Sequence, residues 1–164
     1  EGMVGIPLVL GHSQSSVRAL VQGTGTALRM RSARFRNEFR SCLPLQRELY
    51  RYVHALMAQI SQTAACNRFH VVETRLARWL LMTHDRVKSD QFRMTQEFLG
   101  HMLGVRRVGV TKAAQALQTH DLIRYSRGDI TVLDRAGLEA AACECYEVVK
   151  DMHDGTGAGQ GKPS

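Results

Sequence analysis

The residues with the clearest chemistry in this 164-residue chain recur at helical spacing between positions 106 and 118. At 100° per residue, one side of this segment combines polar, basic and small apolar side chains and carries no acid: Arg107, Val108, Thr111, Lys112 and Gln115. Arginine and lysine bind guanine edges and phosphates, and valine can contact a thymine methyl group. The pattern indicates contact with a polyanion, and DNA is the first candidate.

The elements that must position this face are predicted from the surrounding periodicity. The other side of the segment is apolar, at Val110, Ala113, Ala114 and Leu117. An earlier apolar stripe, at Phe98, Leu99, Met102 and Leu103, predicts a preceding helix with Thr95 as its N-cap. Gly104 supplies the turn between the two helices. This arrangement is typical of a DNA-binding helix-turn-helix, although an ordinary helical hairpin with a solvated face has the same pattern.

A predicted β-hairpin follows directly. Residues Leu122–Tyr125 and Ile130–Leu133 alternate in hydrophobicity around the turn residues Ser126–Asp129. A helix-turn-helix followed by a hairpin is a winged helix, and Arg124 and Arg127 place positive charge on this wing. Between Thr95 and Arg127, five Lys/Arg against two acids give a local charge of +3.

A long helix is predicted upstream, over Leu43–Cys66, with Pro44 in its first turn. Steps of four and three residues define a coiled-coil seam that begins with Leu45, Leu49, Tyr52 and Leu56. We favour a dimerisation helix over a helix that packs only on its own N-terminal domain. The next helix, His70–Arg86, is predicted to bury Trp79 and to point Arg75, Arg78 and Arg86 away from its buried face.

The two ends of the chain are less regular. Short strands are predicted in Val4–Leu10 and Val17–Val21, with a further strand in Ala27–Met30. Because the chain begins with Glu and these strands are too few to close a sheet, we interpret it as a fragment whose first strands are missing. Five arginines between residues 29 and 40 are read as a solvated face beside Phe35 and Phe39, with nucleic-acid contact as the alternative. A last helix is predicted over Arg135–Met152, before a disordered tail.

Composition narrows the function classes. The formal net charge is +7 and the pI is near 9.7, which suits a polyanionic partner and also an acidic membrane surface. No apolar run is long enough to span a bilayer, so a cytoplasmic protein without membrane contact is expected. The four cysteines are predicted to be free thiols, and Cys143 and Cys145 alone are a weak indication of metal or redox chemistry.

Enzyme motifs are not found in the sequence. The pair His84-Asp85 is the only arrangement that suggests catalysis, and no nucleophile elbow, zinc spacing or phosphate-binding loop accompanies it. We interpret this pair as a helix-end cap and expect neither enzyme activity nor a cofactor.

Three segments together resemble the Crp/Fnr-type bacterial transcription regulators. They are RLARWLLMTHDR at 75–86, the stretch beginning MTQEFLGHMLGVRR at 94, and the stretch beginning LIRYSRGDITVLDR at 122. The resemblance implies an α+β fold made of part of a cyclic-nucleotide-binding-like β-roll at 1–42, a dimerisation helix at 43–68 and a winged helix-turn-helix at 69–152. Residues 153–164 are the predicted tail. The implied partners are double-stranded DNA, a second copy of the chain and RNA polymerase.

Site residues follow from the basic face and the resemblance. The predicted base-reading residues are Arg107, Val108, Thr111 and Lys112. The predicted phosphate-binding residues are Thr95, Arg106, Gln115 and Arg127. In nucleotide-responsive members a Glu typically occupies the position of Val108, so a different operator preference is expected.

The N-terminal segment departs from the ligand pattern of those members. Ile6 stands in the place of the ribose-binding Glu, and Ser13 and Gln14 fall near the place of the phosphate-binding Arg-Ser pair. Cyclic AMP is therefore not the expected effector, and the identity of any small-molecule effector is left open. So are the operator, the regulated genes and the sign of regulation. The alternative function is a winged-helix module for protein interaction or non-nucleotide ligand sensing, without direct DNA reading.

Overall fold

The computed structural model describes residues 2–21 and 25–157, with side chains described up to residue 152. The chain divides into two compact units, of which one contains the described residues up to Ala58 and the other is Gln59–Asp154. The elements in chain order are α1 Ile6–Val9, α2 Ser32–Ser41, α3 Leu43–Phe69, α4 Val72–Val87, β1 Gln91–Arg93, α5 Gln96–Leu103, α6 Arg107–Thr119, β2 Ile123–Ser126, β3 Asp129–Val132, α7 Arg135–Ala141 and α8 Cys145–Gly157. The predicted α+β class with a winged helix-turn-helix is confirmed.

The strands predicted near the N-terminus are not formed. Residues Ile6–Val9 form α1 with Pro7 in its first turn, and the described residues before Gln91 contain no strand. A strand needs a neighbour to satisfy its backbone, whereas this short helix satisfies part of its own, as in the 2.9 Å bond from the Leu8 N–H to the Gly5 carbonyl. The strand predictions are therefore wrong. The assignment of 1–42 to the end of a β-roll receives no support from these elements and stays a prediction.

The first unit is built around a small apolar cluster. Val9, Phe35 and Val53 are buried, and the Phe39 ring stacks on that of Phe35 with centroids 5.6 Å apart. The five arginines between 29 and 40 are all exposed, which agrees with the predicted solvated face. The helix predicted from Leu43 is confirmed and extends to Phe69.

The second unit has its core between α4, α6 and the sheet. Leu76 and Leu80 are fully buried in it, and Trp79 packs against it with its ring edge-on to Phe98. Arg75 and Arg78, predicted to point away from this core, are buried instead. Their guanidinium groups donate to the Leu103 carbonyl and, at 3.0 Å, to the Thr63 hydroxyl. Burial of these two guanidinium groups is tolerated because each donates a hydrogen bond to an oxygen atom.

The two helices of the helix-turn-helix meet at a left-handed residue. Gly104 has φ 64° and ψ 36° and ends α5. This left-handed conformation costs residues that carry a Cβ atom about 1–2 kcal/mol. At the start of α5, the Thr95 hydroxyl accepts a 3.1 Å hydrogen bond from the Phe98 N–H, which confirms the predicted N-cap. The predicted inner face of α6 is buried at Val110, Ala113, Ala114 and Leu117.

The sheet has three antiparallel strands in the order β1-β3-β2. The predicted wing is the β2–β3 hairpin, and its register pairs Ile123 with Val132 and Ser126 with Asp129. Arg127 (φ 52°) and Gly128 (φ 93°) form its turn, both in the left-handed region that two-residue hairpin turns require. Strand β1 pairs with β3 and thereby joins the wing to the start of α5.

The predicted last helix is broken. Asp134 caps α7 as expected, with its Oδ1 atom accepting a 2.9 Å bond from the Gly137 N–H. The helix then ends at Ala141, and α8 begins at Cys145. A single helix over Arg135–Met152 is therefore wrong, and the interruption falls on the segment that contains Cys143. Residues 153–157 of the predicted tail belong to α8, and the remaining residues of the tail lie outside the described part of the chain. In the described residues, no helix is both long enough and apolar enough to cross a membrane.

Candidate nucleic-acid interface

The outer face of α6 presents all four predicted base-reading residues to solvent. Arg107, Val108, Thr111 and Lys112 are exposed, and Val108 retains 65% of its accessible surface although it is apolar. The first turn of α6 contains no acid, so the partial positive charge at the helix N-terminus is not neutralised there. This face can therefore approach an anionic groove without an electrostatic penalty of its own.

A side chain from α5 fixes part of this face. The Gln96 Oε1 atom accepts a 3.0 Å hydrogen bond from Arg107 Nε and a 3.1 Å bond from the Thr111 hydroxyl. The Arg107 guanidinium is thus oriented through its Nε, while its two Nη groups are the pair that can bind guanine O6 and N7. The sequence did not indicate this role for Gln96, because its partners lie 11 and 15 residues away along the chain.

A groove of about 350 Å³ lies between the start of α5, the start of α6 and the wing. It brings together two predicted phosphate-binding residues, Thr95 and Arg127, and the predicted base reader Arg107. The remaining lining residues are Gln96, Glu97, Tyr125 and Gly128. The hydroxyl of Thr95 accepts the capping bond, so its own proton can still be donated to a phosphate oxygen.

Tyr125 is a groove residue that the sequence did not indicate. Its hydroxyl donates a 2.9 Å hydrogen bond to the Met94 carbonyl, and its N–H donates to the Gln118 side chain at 2.8 Å. Burial raises the pKa of Tyr125, and the nearby positive charge of Arg107 lowers it in part. The hydroxyl bond connects the wing to the residue before the N-cap of α5 and thereby helps to maintain the shape of the groove.

The other predicted phosphate-binding residues lie outside this groove. Arg106 is exposed immediately before α6, and Gln115 is exposed one turn after Thr111 on the same side of the helix. The predicted phosphate-binding residues therefore lie in three places: the groove, the start of α6 and the second half of α6. One acid, Glu97, lines the groove and sits in the first turn of α5.

The His84-Asp85 pair belongs to a structural network far along the chain from α6. His84 lies 2.7 Å from Asp90 and 2.6 Å from Arg135, while Arg135 forms a 2.9 Å ion pair with Asp85. Arg135 Nη2 also donates to the Tyr146 hydroxyl, which donates to Asp85 at 2.9 Å. These bonds join the end of α4 to α7 and α8, so the pair links helices, whereas the sequence predicted a helix-end cap.

Tyr146 makes this network sensitive to alkaline pH. Burial and the hydrogen bond to Asp85 raise the pKa of Tyr146 from 10.0 to about 12. The stabilisation from its neutral form is fully present below pH 10 and is lost as the pH rises through 12. We expect Tyr146→Phe to lower the free energy of unfolding by about 1–2 kcal/mol at pH 7 and to reduce its alkaline decline. Urea unfolding at pH 8 and pH 11 measures both effects.

The matched control for this prediction is Tyr50→Phe, because Tyr50 is 52% exposed on α3. Its removal is expected to leave the alkaline decline unchanged. An equal effect from both variants would show that the decline does not come from Tyr146.

Comparisons with known proteins agree with this geometry. Residues 74–141 match the model of the Crp-like helix-turn-helix domain. A crystal structure from Eubacterium rectale, described as a transcriptional regulator of the Crp/Fnr family, aligns with a TM-score of 0.50 at 23% identity. The alignment covers 67% of this chain and 51% of that one. The catabolite activator protein of Thermus thermophilus aligns with a TM-score of 0.42 at 22% identity over 65% of this chain and 52% of its own.

The chain thus spans about half the length of the structures that it matches. A comparison with curated proteins gave no match. The matched domain runs from within α4 to the end of α7 and contains the helix-turn-helix, the wing and the groove. Residues 74–141 of this chain thus match a Crp-like helix-turn-helix domain, in agreement with the predicted resemblance to the Crp/Fnr-type regulators.

Proposed function

We propose that this protein is a sequence-specific DNA-binding transcription regulator of the Crp/Fnr type. The observation that carries the proposal is the exposed, acid-free outer face of α6 within a Crp-like helix-turn-helix domain. A helix of this kind enters the major groove with its N-terminal residues on base edges. A winged-helix module for protein interaction or for sensing a non-nucleotide ligand is the second candidate, and the basic side chains Arg107 and Lys112 favour DNA over it.

Two kinds of contact are proposed. Arg107, Val108, Thr111 and Lys112 read bases, with Arg107 pairing bidentately with guanine and Val108 packing on a thymine methyl. The second set binds phosphates and sets the position of the helix without reading sequence: Thr95, Arg106, Gln115 and Arg127. In this proposal one phosphate binds in the groove that Thr95 and Arg127 line, and Arg107, held by Gln96, meets the base edges.

Dimerisation through α3 is proposed for binding a near-palindromic operator. The predicted seam residues Leu45, Leu49, Tyr52 and Leu56 are half-buried within the single chain, and Leu49 packs on the Val9–Phe35–Val53 cluster. The most exposed apolar residues in the same part of α3, Leu43, Tyr50 and Met57, recur every seven residues. This heptad spacing supports a helix-to-helix contact with a second chain. A dimer would set its two recognition helices about 34 Å apart.

The remaining parts of the proposal rest on the sequence. Cytoplasmic localisation, contact with RNA polymerase and an effector other than cyclic AMP follow from the resemblance and from the departures at Ile6, Ser13 and Gln14.

Selection of bound duplexes from a random pool tests the proposal. We expect enrichment of a near-palindromic sequence, two chains bound per duplex, and affinity that falls steeply with salt because phosphate contacts release counterions. The control is the variant Lys112→Glu, which reverses one charge on the outer face of α6 and is expected to abolish the enrichment. Absence of enrichment with the folded wild-type chain, with and without cell extract, would contradict DNA reading and favour the second candidate.

A further inference from the structure

Four potential metal ligands meet at the end of α3 and the break between α7 and α8. They are Cys66, His70, Cys143 and Cys145, and their ligand atoms all lie within 4.8 Å of one another. The sulfur atoms of Cys66 and Cys143 are 3.5 Å apart, and the Cys145 sulfur is 3.6 Å from His70 Nδ1. We propose that these residues form a Cys3His site for one divalent cation of the zinc class.

The dimensions fit a mononuclear tetrahedral site. Zinc binds sulfur at about 2.3 Å and imidazole nitrogen at about 2.0–2.1 Å, so neighbouring ligand atoms in a tetrahedron lie roughly 3.5–3.8 Å apart. The two distances of 3.5 and 3.6 Å match this edge length. Cys66 lies in the last turn of α3 and His70 directly follows that helix, while Cys143 and Cys145 flank Glu144 at the break between α7 and α8.

The groups around the ligands are those that support a metal-bound thiolate and imidazole. His70 Nε2 lies 3.1 Å from the Glu144 carboxylate, which leaves Nδ1 directed at the sulfur atoms. A carboxylate on the outer ring nitrogen is the usual second partner of a metal-binding histidine. Gln62 Nε2 donates a 3.0 Å hydrogen bond to the Cys145 sulfur. A neutral thiol in an apolar core requires neither a histidine–carboxylate pair beside it nor an amide N–H donor to its sulfur.

Burial also favours a cation at this position. Cys66 is fully buried, and Cys145 and Cys143 retain only 1% and 7% of their accessible surface. Solvent cannot neutralise thiolate charge at this depth, whereas a bound cation would.

The site explains the break between α7 and α8. In one continuous helix, residues 143 and 145 would point about 200° apart, and their sulfur atoms could not share a partner. The interruption turns both toward Cys66, and α8 begins at Cys145, whose sulfur then lies at a helix N-terminus that favours negative charge. Because all four positions come from the protein, the site has no open coordination position and is structural rather than catalytic.

Cobalt titration of the reduced full-length chain, after treatment with a chelator, tests the proposal. We expect one Co²⁺ per chain, with thiolate charge-transfer bands and the strong visible bands of tetrahedral cobalt, and displacement of Co²⁺ by Zn²⁺. Zinc is also expected to raise the melting temperature of the wild-type chain. Failure of the wild-type chain to bind either ion would overturn the proposal, and this result does not depend on any variant folding.

Matched variants locate the ion. Cys66→Ser and Cys145→Ser are expected to lose the cobalt spectrum, whereas Cys42→Ser, a half-buried cysteine of the first unit, is expected to keep it. His70→Cys is expected to retain tetrahedral binding with a stronger charge-transfer band, because a fourth thiolate replaces the imidazole. Glu144→Gln should weaken affinity by about 10- to 100-fold without changing the stoichiometry.

Two results would overturn this assignment. One is an equal loss of cobalt binding in Cys42→Ser and Cys66→Ser. The other is a wild-type chain that binds no metal and instead forms a Cys66–Cys143 disulfide on mild oxidation, detected by mass spectrometry, which would make the cluster a redox pair.

Discussion

Replacement of Arg107 by alanine is expected to weaken binding to the selected operator by about 1–3 kcal/mol, roughly 5- to 150-fold. The reason is the loss of a bidentate pair that the structure orients in advance. Arg107 Nε is held by Gln96 at 3.0 Å, so little side-chain freedom is left to be lost when the Nη groups meet a guanine. Titration of the operator and of duplexes changed at single positions measures the effect, which should include relaxed specificity at one base pair.

Arg127→Ala is the matched control, since Arg127 is an exposed arginine of the same groove, placed on the wing rather than on α6. Its removal is expected to weaken binding about equally on all sequences and to lower the salt slope by about one. A loss in Arg107→Ala that is the same on every duplex would contradict base reading and assign Arg107 to phosphate binding from the groove.

Leu117→Ala is expected to lower the free energy of unfolding by about 2–5 kcal/mol, a large part of the total stability of a domain of this size. Leu117 is fully buried on the inner face of α6, in the core shared with α4 and the sheet. Truncation removes its apolar contacts and leaves a cavity that the surrounding helices fill only in part. Urea unfolding followed by circular dichroism measures the change.

Val108→Ala is the control on the same helix. Val108 is 65% exposed, so its truncation should change stability by less than about 0.5 kcal/mol while altering the operator preference at one position. The core assignment would be wrong if Leu117→Ala cost less than about 1 kcal/mol, or if Val108→Ala destabilised the protein to the same extent.

The helix-turn-helix and the hairpin of the second unit were predictable because each carries a strong local pattern. The inner face of α6, the N-cap at Thr95 and the turn at Gly104 each depend on residues within a few positions of one another. For the same reason the exposed set Arg107, Val108, Thr111 and Lys112 could be predicted from helical spacing alone. What spacing could not supply was the Gln96 bridge and the Tyr125 contact, which join elements separated by a turn or a strand.

Local pattern failed where a different partner determined the conformation. Alternation in Val4–Leu10 predicted a strand, but a strand without a neighbour leaves its backbone groups unpaired, and α1 formed instead. The positive charges of Arg75 and Arg78 predicted exposure, yet acceptors on α5 and α3 allow both to be buried. In each case the deciding group lies elsewhere in the chain.

The sequence by itself determined the helix-turn-helix, its wing and its basic outer face, because helical period, capping residues and turn glycines act over short distances. The tertiary structure alone decided which side chains form the groove and which side chains lie beside Cys143 and Cys145. Cys66 and Cys143 are 77 positions apart, and their sulfur atoms meet at 3.5 Å only because the last turn of α3 packs beside the junction of α7 and α8. Contacts across that separation depend on packing of the whole unit, which no local periodicity encodes.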